Sequence, residues 1–430
     1  MLLKGYIKSE FLKSVMVLTS GTFIAQVISY IATPFITRLF SPDEIGELGV
    51  FLKIAAFITA IATARYEFTL PLPKRDQHAF QLFRLSLRIA TITLIISFLV
   101  GIIYWLFTET TSYNLTIVLL LVFTMFMMVF KNIGTYWAIR MKTFNLISYA
   151  SISSSLTTNI IKVLAGVLSF GAIGLMVATF FGSIAGALFF VKDYFSNKIK
   201  LDYKVSKYKT SALAKKYKDF PNINLPHMLV DHGKELLTAF LIVGFFDQTV
   251  FGSYDHSFRM LKLPLLLIGM AMGQVFYKKC AALYNSQQPI LPVLKKITFY
   301  LFLISIIPFG IIFLYGEPLF VFVFGGEWQL SGKISEVLAP WLMINFIASP
   351  VSIIPMVINR QKTFFWISLV GSIIQIVSFG LAPFLIKSNF INQIEMFFII
   401  SIILSLFMLI YLLYILYFTK LSDKKNIKLS

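Results

Sequence analysis

Apolar runs of about twenty residues, each closed by charges or turn residues, recur along almost the whole chain. A helix needs about 20 mainly apolar residues to cross the roughly 30 Å hydrocarbon core of a bilayer. On that criterion the sequence predicts twelve spans, near 14–37, 46–70, 86–107, 115–138, 146–168, 172–191, 222–245, 253–276, 297–315, 336–358, 364–386 and 395–418. The second, fourth and seventh carry charge within the apolar run. The first run follows a basic flank (Lys4, Lys8, Lys13) and has no small-x-small cleavage pattern, so it is read as a retained helix and not as a signal peptide. The pattern predicts an all-α polytopic membrane protein. A Lys-rich polar stretch divides it into an N-terminal lobe of six helices (1–191), a cytoplasmic linker (192–221), a second six-helix lobe (222–418) and a tail (419–430).

Composition agrees with a membrane protein. The 430 residues are 58% hydrophobic and 13% charged, with a mean hydropathy of +0.82, where soluble domains hold about 45–50% apolar and about 25% charged residues. Charge changes the picture more. Lys and Arg number 38 against 19 Asp and Glu, a net charge of +19. In a soluble protein that excess would point to nucleic acid. Lys and Arg in short loops instead prefer the cytoplasm. With the N-terminus inside, 28 of the 38 fall in cytoplasmic segments and only Arg38, Lys333 and Lys387 in the opposite loops. Both termini are therefore expected in the cytoplasm, the basic loops facing anionic membrane lipids, and no nucleic-acid partner is needed. The single cysteine, Cys280, excludes an intramolecular disulfide, and no Cys/His cluster suggests a metal.

The two halves share a short motif. Phe40-Ser-Pro-Asp-Glu-Ile-Gly-Glu-Leu48 follows the first span, and Phe246-Asp-Gln-Thr-Val-Phe-Gly-Ser-Tyr254 follows the seventh. Ser41 and Asp247 are suitable N-caps, and Ser41 to Glu44 fits a capping box with Pro42 at the first helical position. Each motif should open the second helix of its half, with Lys53 and Arg259 at matching places seven residues beyond the shared glycine. A parallel internal repeat, its axis along the membrane normal, is the reading, as in many transporters.

Seven basic residues remain within spans: Lys53, Arg65, Lys131, Lys162, Lys234, Arg259 and Lys262. Acids accompany them, among them Glu67, Asp231, Glu235, Asp255 and Glu336. A charge at the bilayer centre costs at least about 2.5–3.5 kcal/mol, so such residues face a water-filled cavity or a partner. Lys131 lies within a few turns of the cytoplasmic end and is expected to snorkel there. Lys53 and Arg259 lie roughly 16–18 Å along their helices, too far to snorkel, and are expected in a cavity. Lys262 shares the face of Arg259, and Asp255 could simply pair with that arginine. On the seventh span Asp231, Lys234 and Glu235 share a face; they either relay protons or neutralise one another. Arg65 and Glu67 could form a local salt link. The fifth span carries a polar stripe from Ser148 through Ser154, Thr158 and Asn159 to Lys162, suited to close helix packing or to a sugar-binding wall. Pro340, Pro350 and Pro355 should bend or interrupt the tenth span.

No DxD, GxxxxGK[ST], HExxH or GxSxG motif occurs, and the four histidines are scattered, so an enzyme is not expected. Several blocks, in order along nearly the whole chain, carry a family likeness. They are Arg38 to Gly46, Ala64-Arg-Tyr-Glu67, Leu70-Pro-Leu-Pro-Lys74, Phe220 to His227, Arg259-Met-Leu-Lys-Leu-Pro264, Gly273 to Tyr277, Phe324-Gly-Gly-Glu-Trp328, Ala339-Pro-Trp341 and Ser349-Pro350. Through them the sequence resembles bacterial oligosaccharide flippases of the Wzx type, in the superfamily of multidrug and toxin extrusion (MATE) exporters and lipid II flippases. The segment Asp231-His232-Gly233-Lys234 departs from the more neutral pattern of that family.

The resemblance implies two six-helix lobes around a central cavity. These would move an undecaprenyl-diphosphate-linked oligosaccharide to the outer leaflet of the bacterial inner membrane, by alternating access, for O-antigen, lipopolysaccharide or another surface glycan. Lys53, Arg259, Lys262, Lys162 and Arg65 are then the candidate substrate cations, and Asp231, Lys234, Glu235, Asp255 and Glu67 the candidate coupling or ion-pair residues. No cofactor is expected; H+ or Na+ are the candidate coupling ions. The partners implied are the lipid-linked oligosaccharide, membrane lipids, and the polymerase and chain-length regulator of the same pathway. A MATE-class drug or cation exporter and a membrane polysaccharide polymerase are the alternatives.

Overall fold

In the computed structural model, residues 2–107, 112–196, 206–263, 276–277, 279–358, 360–387 and 392–427 are described. The described chain is helical throughout: α1 (Leu2–Thr37), α2 (Pro42–Ile61), α3 (Asp76–Phe107), α4 (Ser112–Met141), α5 (Phe144–Val167), α6 (Gly171–Ser196), α7 (Lys207–Lys216), α8 (Leu225–Phe245), α9 (Gln248–Leu261), α10 (Leu291–Phe324), α11 (Gln329–Val351), α12 (Ile354–Val357), α13 (Gln361–Lys387) and α14 (Gln393–Ile427). Part of the eighth expected span (264–275), part of the linker (197–205) and the end of the tail (428–430) lie outside the described residues.

Among the described residues, seven helical stretches are long and apolar enough to cross a membrane by length and composition, those of α3, α4, α6, α10, α11, α13 and α14. The count of twelve is therefore not exact. The helices that miss the criterion include α2, α5 and α8, whose apolar runs are interrupted by Lys53, by the Ser/Thr stripe with Lys162, and by Asp231, Lys234 and Glu235. Outward faces of the apolar helices carry large exposed side chains such as Ile95, Leu99, Ile307, Leu314, Ile410 and Leu413, as lipid contact requires. The protein is multi-pass.

Helix boundaries follow local chemistry. At α2 the Ser41 hydroxyl accepts the Glu44 N–H (3.3 Å) while the Glu44 carboxylate accepts the Ser41 N–H (2.8 Å), a capping box with Pro42 at its start. At α9 the Asp247 carboxylate accepts the Val250 N–H (2.7 Å). Both halves of the sequence motif therefore open a helix as expected. The second span, however, stops at Ile61. Ala64 and Arg65 follow with φ of 48° and 64°, and Tyr66–Thr69 form a 3-10 turn. Left-handed backbone costs a non-glycine residue roughly 1–2 kcal/mol. Packing of Tyr66 and Leu70 into a cluster with Phe80, Phe83 and Trp137 offsets it. The tenth span behaves as its prolines suggest in part: α11 passes through Pro340, and a break near Ser352 precedes α12, which opens at Pro355. A kink at Tyr315 in α10, ahead of Pro318, was not anticipated.

Two compact units result, Met1–Leu236 and Leu237–Ser430, divided within α8. In the first unit α4 packs on α2, α3 and α6, and α5 packs on α6. In the second, α11 packs on α9, α10 and α14, and α13 packs on α14. The same neighbour pattern thus recurs in both, and α1 against α5 is echoed where Gln375 of α13 donates to the Thr238 hydroxyl of α8 (3.3 Å).

Candidate functional site

Within the first unit a cavity of about 490 Å³ opens between α2, α4, α5, α6 and the start of α8. Thr59 and Ala60 come from α2, Lys131, Asn132 and Thr135 from α4, Ser154 and Thr158 from α5, Thr179 and Ser183 from α6, and His232 from α8. Arg65 enters from the turn after α2. No carboxylate is among the residues that line it.

Local geometry places each group. The left-handed pair Ala64–Arg65 ends α2 and directs the guanidinium back across the helix end, where it stacks over Phe68 (4.1 Å) and lies 3.5 Å from Glu67. Glu67 is fully buried and accepts a hydrogen bond from the Thr63 hydroxyl, so the expected local salt link forms. Lys131, expected near the cytoplasmic rim, lines the cavity. Its stem lies along Gly186 of α6, with Cδ and Cε 3.2 Å from where a Cβ would stand, and the chain reaches the cavity wall. The missing side chain at Gly186 creates that path. Gly182, one turn earlier, gives similar room to Thr158.

The polar stripe of α5 divides between both expected roles. On one side Ser155 donates to the Ala25 carbonyl (2.6 Å) and meets the Ser29 hydroxyl (2.9 Å), and Asn159 donates to Ser29 (3.1 Å), all packing against α1. On the other side Ser154 and Thr158 face the cavity. Lys162, one turn beyond Thr158, is half-buried and outside the cavity lining.

The remaining predicted residues, Lys262 apart, are held in ion pairs. Lys53, one turn before Ala56 on α2, donates to Glu235 of α8 (2.8 Å), with about a quarter of each side chain exposed. Lys234 pairs with Asp231 on the same helix (2.9 Å). In the second unit Arg259 pairs with Asp255 one turn back on α9; the acid is buried and the guanidinium is partly open. Lys262 stands at the C-terminal end of α9 with its ammonium 4.0 Å from the Phe258 ring. The structure therefore joins Lys53 with Glu235, Arg65 with Glu67, and Arg259 with Asp255. Lys131 and His232, absent from the predicted set, prove to line the cavity with Arg65. A sequence signal for Lys131 existed, since it is an unpaired cation inside a span, but its depth along the helix suggested the membrane rim instead. Among the described residues no group of three His, Cys, Asp or Glu side chains could hold a metal ion.

The multi-pass bundle thus holds a cation-bearing cavity inside its first unit. The chain belongs to the polysaccharide biosynthesis protein family, whose model matches residues 35–332. Solved structures share the fold. An inward-facing multidrug resistance MATE family transporter of the MOP superfamily superposes with a TM-score of 0.69 at 17% identity, covering 95% of this chain and 99% of that one. The lipid II flippase MurJ, in an inward closed conformation, gives 0.68 at 16% identity over 95% and 90%. A MOP superfamily transporter from Pyrococcus furiosus, described for the reverse polarity of its binding pocket, gives 0.56 at 14% identity over 96% of each chain. No curated protein sequence matches significantly.

Proposed function

We propose that this protein is a flippase. It translocates an undecaprenyl-diphosphate-linked oligosaccharide from the cytoplasmic to the outer leaflet of a bacterial inner membrane, by alternating access. The observation that supports this most is the cavity: Arg65, Lys131 and His232 with a wall of hydroxyl and amide groups and no lining carboxylate, in a chain of the polysaccharide biosynthesis family. The cargo's diphosphate is anionic and loses solvation in a low-dielectric layer; fixed cations offset that loss, and guanidinium groups add bidentate geometry. An exporter of cationic drugs needs the opposite polarity, and a polymerase needs reactive residues that the sequence motifs do not supply.

Lys53 and Arg259 are the further candidate cations for the oxyanion. Each is screened in the resting structure by a carboxylate, Glu235 or Asp255, which an incoming oxyanion would displace. Release of Glu235 from Lys53 is also where a coupling proton or Na+ would enter; transport that persists after both gradients are collapsed would remove that part of the proposal. The pathway's polymerase and chain-length regulator remain the protein partners proposed. The decisive experiment is depletion of the protein, followed by an assay of the leaflet in which the lipid-linked glycan accumulates. Accumulation on the cytoplasmic side is expected, and unchanged delivery to the outer face would sink the reading.

A further inference from the structure

We infer that the second unit carries a binding slot for an anionic phospholipid, a role separate from the cavity of the first unit and from translocation. A cavity of about 510 Å³ opens between α10, α11 and α14. Its shape follows from the packing: α11 packs on both α10 and α14, and the slot runs between those two along α11. Met343 and Ile344 of α11 line its floor, and the more exposed Phe299 and Phe302 of α10 and Leu409 of α14 its rims. The lining is apolar except for Lys295 and Thr298.

Both polar groups sit at one end of the slot. Lys295 lies one turn into α10, where the Asp423 carboxylate of α14 accepts the Ile290 and Leu291 N–H groups (3.0 and 2.8 Å). That acid is buried and occupied by the helix start. Among the described residues no carboxylate pairs with Lys295. Lys420, exposed and four residues beyond Leu416, shares its face of α14 and adds a second cation at this end. The proposed topology puts these lysines at the cytoplasmic leaflet, and basic groups beside a cleft between helices attract lipid phosphate. Thr298 lies about 4.5 Å deeper along the helix than Lys295, and its hydroxyl has no hydrogen-bond partner in the protein. Turning about its Cα–Cβ bond presents that hydroxyl to the slot. In a phospholipid the ester carbonyls lie just below the phosphate, and the acyl chain follows. Cation, hydroxyl and hydrocarbon along the slot therefore match the order of groups in the lipid. A polyprenyl carrier has only hydrocarbon below its phosphates; a second phosphate at Thr298 would set charge against Phe299 and Phe302, which is costly.

The test is native mass spectrometry of the full-length protein released from detergent micelles doped with phosphatidylglycerol, phosphatidylcholine of the same chains, or undecaprenyl phosphate. Phosphatidylglycerol is expected to be retained at least about tenfold more strongly than phosphatidylcholine. The double variant K295Q/K420Q should lose that preference, and K295R/K420R should keep it. Ile344→Trp fills the floor of the slot with every charge in place and should exclude the lipid, so the proposal stays testable if the lysine variant does not fold. Ile307→Trp, on an exposed part of α10 outside the slot, should bind as the wild type, which separates a built site from general lipid contact. Phosphatidylglycerol should also raise the melting temperature of the wild type and leave that of Ile344→Trp unchanged. Equal retention of the two phospholipids, wild-type binding by K295Q/K420Q or by Ile344→Trp, or an equal loss in Ile307→Trp would each overturn the inference. Displacement of phosphatidylglycerol by undecaprenyl phosphate would also overturn it, since the slot would then belong to the carrier.

Discussion

Gly182 and Gly186 show how absent atoms shape the cavity. A Cβ on Gly182 would collide with the Thr158 hydroxyl and stand 2.9 Å from the Ser154 carbonyl oxygen. Overpacking of this kind costs typically about 1–3 kcal/mol. Gly182→Ala should therefore lower the melting temperature of the detergent-solubilised protein, and Thr158→Ala in the same chain should recover about half of the loss, since the carbonyl contact stays. Arg140 shows a second role for a charge first read as a topology signal. It donates to the Leu70 and Pro73 carbonyls (3.0 and 2.8 Å) and pairs with Asp76 (2.6 Å), fastening the loop after the Arg65 turn to the end of α4.

Caps and inter-helix pairs set where the helices begin and what they hold. Replacing an N-cap Ser or Asp by Ala costs about 0.5–2 kcal/mol. Ser41→Ala at α2 removes the hydroxyl's contacts with the Glu44 N–H and carboxylate (3.3 Å each) but keeps the backbone N–H bond to Glu44. Asp247→Ala at α9 removes a shorter, charge-assisted bond (2.7 Å) and should cost more; thermal unfolding of the two variants compares them directly. Lys53 and Glu235 tie α2 to the first half of α8. Glu235→Lys alone should lower expression and melting temperature by placing two ammonium groups together. The exchanged pair Lys53→Glu with Glu235→Lys should restore melting temperature, yet not transport, if the cation is needed at its place on α2. Transport recovered to wild-type level by the exchange would remove Lys53 from the proposed route.

For the molecule as a whole, the proposed orientation rests on the skewed distribution of basic residues between the loops. Cys280 is the sole cysteine and is buried, so one Cys280→Ser substitution provides a background for labelling. Single cysteines at Lys209, on the exposed face of α7, and at Glu327, in the exposed turn before α11, should then react from opposite sides of the membrane, Lys209 from the cytoplasm. Labelling of both from one side would refute the proposed topology.

The helical, membrane-embedded class, the internal repeat and the start of α2 and α9 were legible along the chain. Each depends on short-range physics: the apolar length of a run, and a side chain reaching a backbone N–H three residues away. The Arg65–Glu67 link was legible for the same reason, its partners being neighbours in one turn. The end of α2 at Ile61 was not, because an apolar run continues through a turn that tertiary packing of Tyr66 and Leu70 stabilises. Nor was the division of the α5 stripe into a face against α1 and a face on the cavity, since both faces are equally polar. Lys131 is the clearest case. Its position in the sequence fits the membrane rim, and only the groove left by Gly186 on a different helix turns it inward. Which cations meet carboxylates and which line a hydroxyl-bearing cavity depends on helices far apart in the chain, and packing alone brings those together.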